Sequence, residues 1–157
     1  MLKSFKKQLN HLVAPERAEA HCDGPCGVYD PSSARIAAEA AKSMTKKILD
    51  LAKPEGGDAK AYAAYANTVS RYVTIKEQQA HIAKEELLVL WTDYFKPPHV
   101  EKYPDLHEKF WKLGKLCSKV KVEVNLEAAD ELMKGIEEIH EMFGATKGRE
   151  APLYTYS

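Results

Sequence analysis

The sequence predicts an all-α fold with the architecture of a four-helix bundle. Four segments carry apolar residues at intervals of three or four, which is the period of an amphipathic helix. Short connections separate these segments, and no internal repeat or low-complexity tract interrupts them. A chain of 157 residues has the length of one domain. We therefore expect the four helices to share a single core.

The first helix is predicted to begin at Asp30 and Pro31. An aspartate at the N-cap accepts hydrogen bonds from free N–H groups of the first turn, and a proline at the first helical position has no N–H to leave unpaired. The run Pro54-Glu55-Gly56-Gly57 ends this helix, because it combines a proline with two glycines. The apolar stripe between these boundaries consists of Ile36, Ala40, Met44, Ile48 and Leu51.

The second helix is predicted over about residues 58–94. The motif Lys96-Pro97-Pro98-His99 ends it, because consecutive prolines remove hydrogen-bond donors and disfavour the helical conformation of the preceding residue. Its middle, residues 75–79, is polar. Its apolar positions include Tyr62, Tyr65, Val69, Val73, Ile82, Leu87, Leu90 and Trp91.

Two further helices complete the predicted bundle, which spans about residues 31–143. Asn125 is a plausible cap for the fourth helix. The tail, residues 144–157, is expected to be extended. The stripe of the third helix consists of Leu106, Phe110, Leu113, Cys117 and Val120, and that of the fourth of Leu126, Ala129, Met133, Ile136 and Phe143.

Composition excludes several classes of protein. The 23 Lys and Arg residues balance the 23 Asp and Glu residues, so no overall basic field indicates a nucleic-acid partner. The chain has no glycine-rich phosphate loop, which argues against nucleotide-binding α/β folds. No apolar run approaches the roughly 18–20 residues of a membrane-spanning helix. The three cysteines do not suit a disulfide framework and leave metal or redox chemistry open.

The first twenty residues form a basic amphipathic segment with a local net charge of +2. Leu2, Phe5, Leu9 and Leu12 would lie on one face of a short helix that stops near Pro15. Ala18-Glu19-Ala20 has the small-x-small pattern of a cleavage site, but the apolar core of a secretory signal is missing. The segment is therefore either a leader that is removed or an ordinary first helix that stays attached.

Residues 21–29 concentrate the groups that can bind a metal. One His, two of the three Cys and the turn formers Gly24, Pro25 and Gly27 lie within these nine residues. Cys22 and Cys26 could form a small disulfide, or they could join His21 in half of a zinc site. A structural zinc site needs four donors, however, and the other His residues are scattered singly without a second Cys pair.

This segment resembles the start of the mature chain of nickel-containing superoxide dismutases, which reads His-Cys-Asp-x-Pro-Cys-Gly-x-Tyr-Asp. The run is intact over residues 21–30. A second match is Ile75-Lys76-Glu77-Gln78, and a third is Leu90-Trp91-Thr92-Asp93-Tyr94-Phe95-Lys96-Pro97-Pro98-His99, which continues into Glu101-Lys102-Tyr103-Pro104. The resemblance covers the chain well as far as about residue 107 and the last helix loosely.

The resemblance implies an enzyme that disproportionates superoxide to oxygen and hydrogen peroxide by Ni(II)/Ni(III) cycling, with one nickel ion per subunit. The implied ligands are the α-amine and axial imidazole of His21, the amide nitrogen and thiolate of Cys22, and the thiolate of Cys26. Amine, amide and thiolate along one backbone close two five-membered chelate rings. The resulting planar N2S2 set suits Ni(II), whereas zinc prefers a tetrahedron.

The resemblance also assigns roles around the metal. Tyr29 and Tyr94 match the tyrosines on the substrate side, and Asp23 matches the acidic residue of the metal-binding hook, residues 21–29. Lys96 could guide an anionic substrate through its local field.

Three positions depart from the family pattern. Ala37 and Gln79 stand where relatives carry a Glu and an Arg that steady the axial imidazole, which predicts a less firmly held imidazole. Gly24 stands where the family often has Leu, which should loosen the hook.

The family pattern further implies a precursor. Residues 1–20 would be a propeptide removed by a processing protease, and residues 21–157 the enzyme domain. The expected assembly is a homohexamer that shelters the hooks, and the expected compartment is the cytoplasm. The expected partners are superoxide and that protease, with no nucleic acid and no membrane.

Two other functions are consistent with parts of the sequence. Glu137-x-x-His140 has the spacing of a carboxylate-bridged di-iron bundle, but the chain holds no second copy. A nickel carrier could use the same hook without turnover. Cys117 lies on an apolar stripe and is expected to be an inert core thiol.

Overall fold

The computed structural model describes residues 27–148 and 154–155. Every regular element in these residues is helical, which confirms the predicted all-α bundle. The predicted leader, the hook residues 21–26 and most of the tail lie outside the described residues. The elements are α1 (Ser32–Asp50), α2 (Ala59–Val89), a π-helix (Leu90–Tyr94), α3 (Pro97–Lys102), α4 (Leu106–Val122) and α5 (Leu126–Thr146).

Helix α1 begins close to its predicted start but buries a different face. The Asp30 carboxylate accepts a hydrogen bond from the Ser32 N–H at 2.8 Å, and Pro31 already has helical backbone angles. The predicted stripe is wrong, because Ile36 is 57% exposed. Small side chains allow α1 to pack closely against both α2 and α5. The buried hydrophobic face consists of Ala34, Ala37, Ala38 and Ala41.

Helix α2 is bound to the end of α4 through a lysine in its predicted polar middle. Lys76 is only 2% exposed, and its Nζ donates to the carbonyl oxygens of Val120 (2.6 Å), Lys121 (2.7 Å) and Glu123 (2.9 Å). A helix leaves its last carbonyls without partners and carries partial negative charge there. Lys76 therefore caps α4, although burial lowers the pKa of its ammonium.

The double proline has two roles, of which only one was predicted. The π-helix extends α2 to Tyr94, which confirms the predicted end of the long helix. Pro97 and Pro98 then occupy the first turn of the short helix α3, which the sequence did not reveal. A proline in the first turn leaves no unpaired N–H, so the residues that end one helix can begin the next.

Helices α4 and α5 follow the prediction most closely. The whole predicted stripe of α4 is buried, and the Asn125 side chain caps α5 by accepting from the Ala128 N–H at 2.9 Å. A Cβ on Gly135 would lie 2.4 Å from Cδ2 of Leu113, so α5 approaches α4 closely at this glycine.

Helix α5 is longer than predicted, so the bundle ends at Thr146 rather than at residue 143. Gly144 is buried within the helix and does not end it. The chain leaves the helix at Gly148, whose φ of +66° is the left-handed conformation that commonly follows a helix C-terminus. Of the tail, the structure describes Tyr154 and Thr155, which belong to no regular element.

Candidate active site

Tyr29 and Tyr94 meet at one end of the bundle. Tyr29 lies just before α1, Tyr94 ends the π-helix, and their ring centroids are 5.4 Å apart with the planes at 54°. The last turn of α5 reaches the same place, because the rings of Tyr94 and Phe143 have centroids 4.7 Å apart. This end of the bundle therefore brings together both tyrosines expected on the substrate side.

The π-helix determines the register of Tyr94. The Phe95 N–H donates to the Leu90 carbonyl at 3.1 Å, one residue further back than in an α-helix. The Tyr94 ring is buried, stacked on His99 with centroids 5.7 Å apart and planes at 14°, and in edge contact with Phe95. Single π-turns of this kind are frequent at functional sites.

The polar end of Tyr94 faces the last residues of α5. Its hydroxyl is hydrogen-bonded to Oγ1 of Thr146, and this same Oγ1 donates to the Phe143 carbonyl at 2.7 Å. Nζ of Lys147 lies 4.9 Å from the centroid of the Tyr94 ring, a cation–π distance. Sequence reasoning missed Thr146 and Lys147, because it assigned both to an extended tail.

Tyr29 is half-buried and packs against the hydrophobic core, whereas Gly27 and Val28 before it are exposed. Gly27, within the hook, has a φ of +67°, a left-handed conformation that favours glycine. A cavity of about 50 Å³ follows this segment, lined by Val28, Tyr29, Asp30, Ser33, Glu86, Val89 and Leu90. The C-terminal end of the hook, Val28 and Tyr29, therefore lies against the helices of the bundle.

Lys96 is exposed next to this end of the bundle. Its backbone N–H donates to Nδ1 of His99 at 3.0 Å, and the same imidazole stacks on Tyr94. His99 thus connects the backbone of Lys96 to the Tyr94 ring, whereas sequence reasoning had treated His99 only as part of a matching motif.

Two of the three positions that depart from the family pattern lie on α1 and α2, and the third, Gly24, lies outside the described residues. Ala37 is buried and has no polar side-chain atom, and Gln79 is half-buried. Next to Ala37 along α1, Arg35 and Glu39 are both buried and form an ion pair at 2.6 Å.

The alternative di-iron interpretation is wrong for the part of the chain that the structure describes. Glu137 is exposed whereas His140 is buried, so the two side chains do not face one site. Within residues 27–148 and 154–155, no group of three or more His, Cys, Asp or Glu side chains could hold a metal ion.

The remaining cysteine is unsuited to metal binding. Cys117 is 1% exposed in the core, as predicted, and burial raises the pKa of its thiol to about 12. A metal requires the thiolate, so this thiol is a poor ligand. His21, Cys22 and Cys26, the nickel ligands that the resemblance implies, precede the described residues.

No helix in the described residues is long and apolar enough to cross a membrane.

Comparison with known proteins identifies the family. A family model described as nickel-containing superoxide dismutase matches residues 16–147. The nickel superoxide dismutase of Streptomyces coelicolor is 40% identical over 140 residues, which cover 88% of this chain and 98% of that protein. The enzyme of Streptomyces seoulensis is 39% identical over the same shares of the two chains.

Solved structures agree with the sequence relatives. A native nickel superoxide dismutase structure superposes with a TM-score of 0.71 at 39% identity, covering 82% of this chain and 99% of the other. A structure with the nickel ligation of the oxidised state gives a TM-score of 0.71 at 38% identity, and it also covers 82% of this chain and 99% of the other. The chain therefore belongs to the nickel-containing superoxide dismutases, which confirms the enzymatic activity on superoxide and the nickel cofactor that the hook predicted.

Proposed function

We propose that this superoxide dismutase holds one nickel ion per subunit through His21, Cys22 and Cys26, and that superoxide reacts beside Tyr29 and Tyr94. The observation that supports this site is the contact between the two tyrosine rings at 5.4 Å. Tyr29 follows Cys26 by only three residues, and its contact with Tyr94 supports a metal site at the same end of the bundle. The nickel, when bound, supplies the one-electron oxidation and reduction of superoxide.

The protein residues around this site have separate roles. Tyr29 and Tyr94 border the substrate side and limit access to it, while Asp23 supports the hook. Lys96 and Lys147 place positive charge near this end of the bundle, and positive charge raises the local concentration of an anion such as superoxide.

The ligand set is tested by replacing one thiolate and comparing it with the thiol in the core. We expect the Cys26→Ser variant of the processed protein to lose most of its nickel and superoxide turnover, because a serine hydroxyl is a poor ligand for nickel. Cys117→Ala, which removes the buried thiol, should keep about one nickel ion per chain. Elemental analysis and direct measurement of superoxide decay give the two readouts. Zinc in active preparations, or full activity of Cys26→Ser, would contradict the assignment.

We further propose that residues 1–20 are a propeptide and that a processing protease activates the enzyme by cutting between Ala20 and His21. While this bond is intact, the His21 nitrogen is an amide with little basicity and cannot be a neutral amine donor. A freed α-amine has a pKa of roughly 7.7–8.0 and is partly neutral near physiological pH. Proteolysis therefore creates a ligand that the precursor lacks.

The propeptide proposal predicts that activity depends on one peptide bond. Chains with and without a cleavable leader are incubated with nickel, and mass spectrometry establishes the state of the bond between Ala20 and His21. We expect turnover only where His21 is N-terminal. Full activity of a chain whose bond is intact would overturn the proposal.

We also propose a homohexamer in the cytoplasm. Accessible thiolates oxidise readily, so an assembly that covers the hooks would protect them. Several large apolar side chains are exposed on the single subunit, among them Val28 (65%) in the hook and Trp111 (56%) on α4. The leader lacks the apolar core of a secretory signal, which supports the cytoplasm.

A further inference from the structure

We propose that Thr146 is a positioning residue that fixes the direction of the Tyr94 hydroxyl. The inference rests on the proposed function in one respect, namely that Tyr94 borders the substrate side of the hook. The hydrogen bond itself is independent of that function, because it joins α5 to the π-helix within the bundle.

The protons of the two hydroxyls determine the direction of the bond. A threonine hydroxyl has one proton and two acceptor lone pairs, and a carbonyl oxygen can only accept. Oγ1 of Thr146 lies 2.7 Å from the Phe143 carbonyl and donates its proton there. In the bond between the two hydroxyls, Thr146 must therefore accept and Tyr94 must donate.

The rest of the Tyr94 side chain is held by aromatic contacts. His99 stacks on its ring, Phe143 lies at 4.7 Å and Phe95 at 5.0 Å between centroids, and the residue is only 8% exposed. The ring is thus fixed by packing, and rotation of the O–H bond is the freedom that remains. Thr146 removes that freedom.

This arrangement has a consequence for the substrate side. The phenolic proton is directed to the end of α5, so the oxygen of Tyr94 presents its lone pairs elsewhere and acts there as an acceptor. Without Thr146, the proton would be free to take other directions. The tyrosine would then offer a donor where the wild-type enzyme offers an acceptor.

Three variants separate this role from helix stability. Thr146→Val keeps the shape of the side chain and removes both the donor and the acceptor, whereas Thr146→Ser keeps the hydroxyl. Thr74→Val is the matched control, since the exposed Thr74 Oγ1 donates to the Ser70 carbonyl at 2.8 Å in the same way but lies in the middle of α2. It removes a side-chain bond to the helix backbone without touching the site.

The first measurement is ultraviolet resonance Raman spectroscopy, in which the tyrosine doublet reports whether a phenol donates or accepts. Subtracting the spectrum of Tyr94→Phe isolates Tyr94 from the other seven tyrosines. We expect the donor signature of Tyr94 to be lost in Thr146→Val and retained in Thr146→Ser and Thr74→Val. A Tyr94 signature that is unchanged in Thr146→Val would overturn the inference.

The second measurement is superoxide turnover of the nickel-loaded, processed enzyme at equal nickel content. We expect Thr146→Val to lower turnover roughly fivefold, the equivalent of one ordinary hydrogen bond, and Thr146→Ser to restore it. Unchanged turnover in Thr146→Val, or an equal loss in Thr146→Ser, would refute the positioning role. If the wild-type hook itself bound no nickel, the ligand assignment would fail, while the Raman comparison would still decide whether Thr146 orients Tyr94.

Discussion

The same amino acid has opposite chemistry at different positions of this chain. Cys22 and Cys26 occur in a segment rich in turn formers, whereas Cys117 lies in the core and is 1% exposed. Burial disfavours the thiolate, so the pKa of Cys117 rises from 9.0 to about 12. Reactivity is therefore determined by the surroundings of each thiol rather than by its residue type.

We predict that the nickel-free protein exposes two reactive thiols and conceals a third. A disulfide reagent at pH 8 should modify Cys22 and Cys26 quickly and Cys117 only after denaturation. In Cys117→Ala, two thiols should still react quickly, and no further thiol should react after denaturation. Rapid modification of three thiols in the folded protein would contradict the burial of Cys117.

The shifted pKa also predicts how stability depends on pH. Between about pH 9 and pH 12, the unfolded chain loses the Cys117 proton while the folded chain keeps it. Since the unfolded state binds fewer protons there, the free energy of unfolding should fall as the pH rises. Denaturant titrations of wild type and Cys117→Ala should therefore differ in pH slope over this window and agree in slope below it.

At the scale of whole elements, the close contact between α4 and α5 depends on Gly135. Its missing Cβ would lie 2.4 Å from a methyl group of Leu113, and that leucine is only 3% exposed. Gly114, on α4 itself, has room, because the nearest atom to its Cβ position is Lys84 Cε at 4.0 Å. Gly114 and Gly135 therefore differ in what an added methyl group meets.

We predict that alanine has opposite effects at these two glycines. Gly114→Ala should raise the free energy of unfolding by up to about 1 kcal/mol, since alanine favours helix over glycine. Gly135→Ala should lower it by about 1 kcal/mol, because the displacement of Leu113 outweighs that gain. Denaturant midpoints at constant m-value measure both changes. Equal stabilisation by the two substitutions would show that α4 and α5 have room to separate.

The sequence predicted helices well where apolar side chains are large and less well where they are small. The stripe of leucine and phenylalanine on α4 correctly predicted the buried face of that helix. The buried hydrophobic face of α1 consists of alanines, which give only a weak hydrophobic periodicity, and the larger Ile36 is exposed to solvent. Helix α3 was missed because its prolines were interpreted only as a stop.

The candidate site likewise contains residues that the sequence predicted and a contact that it did not. Tyr29 and Tyr94 were predicted from two separate motifs, over residues 21–30 and 90–99, and each motif consists of residues that are consecutive in sequence. The contact of Tyr94 with Thr146 joins positions 52 residues apart and depends on how far α5 extends. Neither local periodicity nor a short motif reports a contact of that kind.

At the scale of the whole molecule, we predict that the processed nickel enzyme has about six times the subunit mass in light scattering, independent of protein concentration over a wide range. The exposed apolar side chains, Val28 and Trp111 among them, would be covered in such an assembly. A monomer with full activity would contradict the hexamer. Light scattering of the precursor under the same conditions shows whether assembly requires removal of residues 1–20.

The ammonium of Lys76 has a consequence for the nascent chain. Its three carbonyl acceptors lie 44, 45 and 47 residues further along the sequence, so α2 leaves the ribosome well before the end of α4 exists. Until then the ammonium stays in water, at one end of the buried stripe that continues through Ala80, Ala83 and Leu87. A hydrated charge beside apolar side chains opposes their association with other unfinished chains, which is the role of a gatekeeper residue. We therefore expect the lysine that caps a helix in the finished enzyme to oppose aggregation of the growing chain.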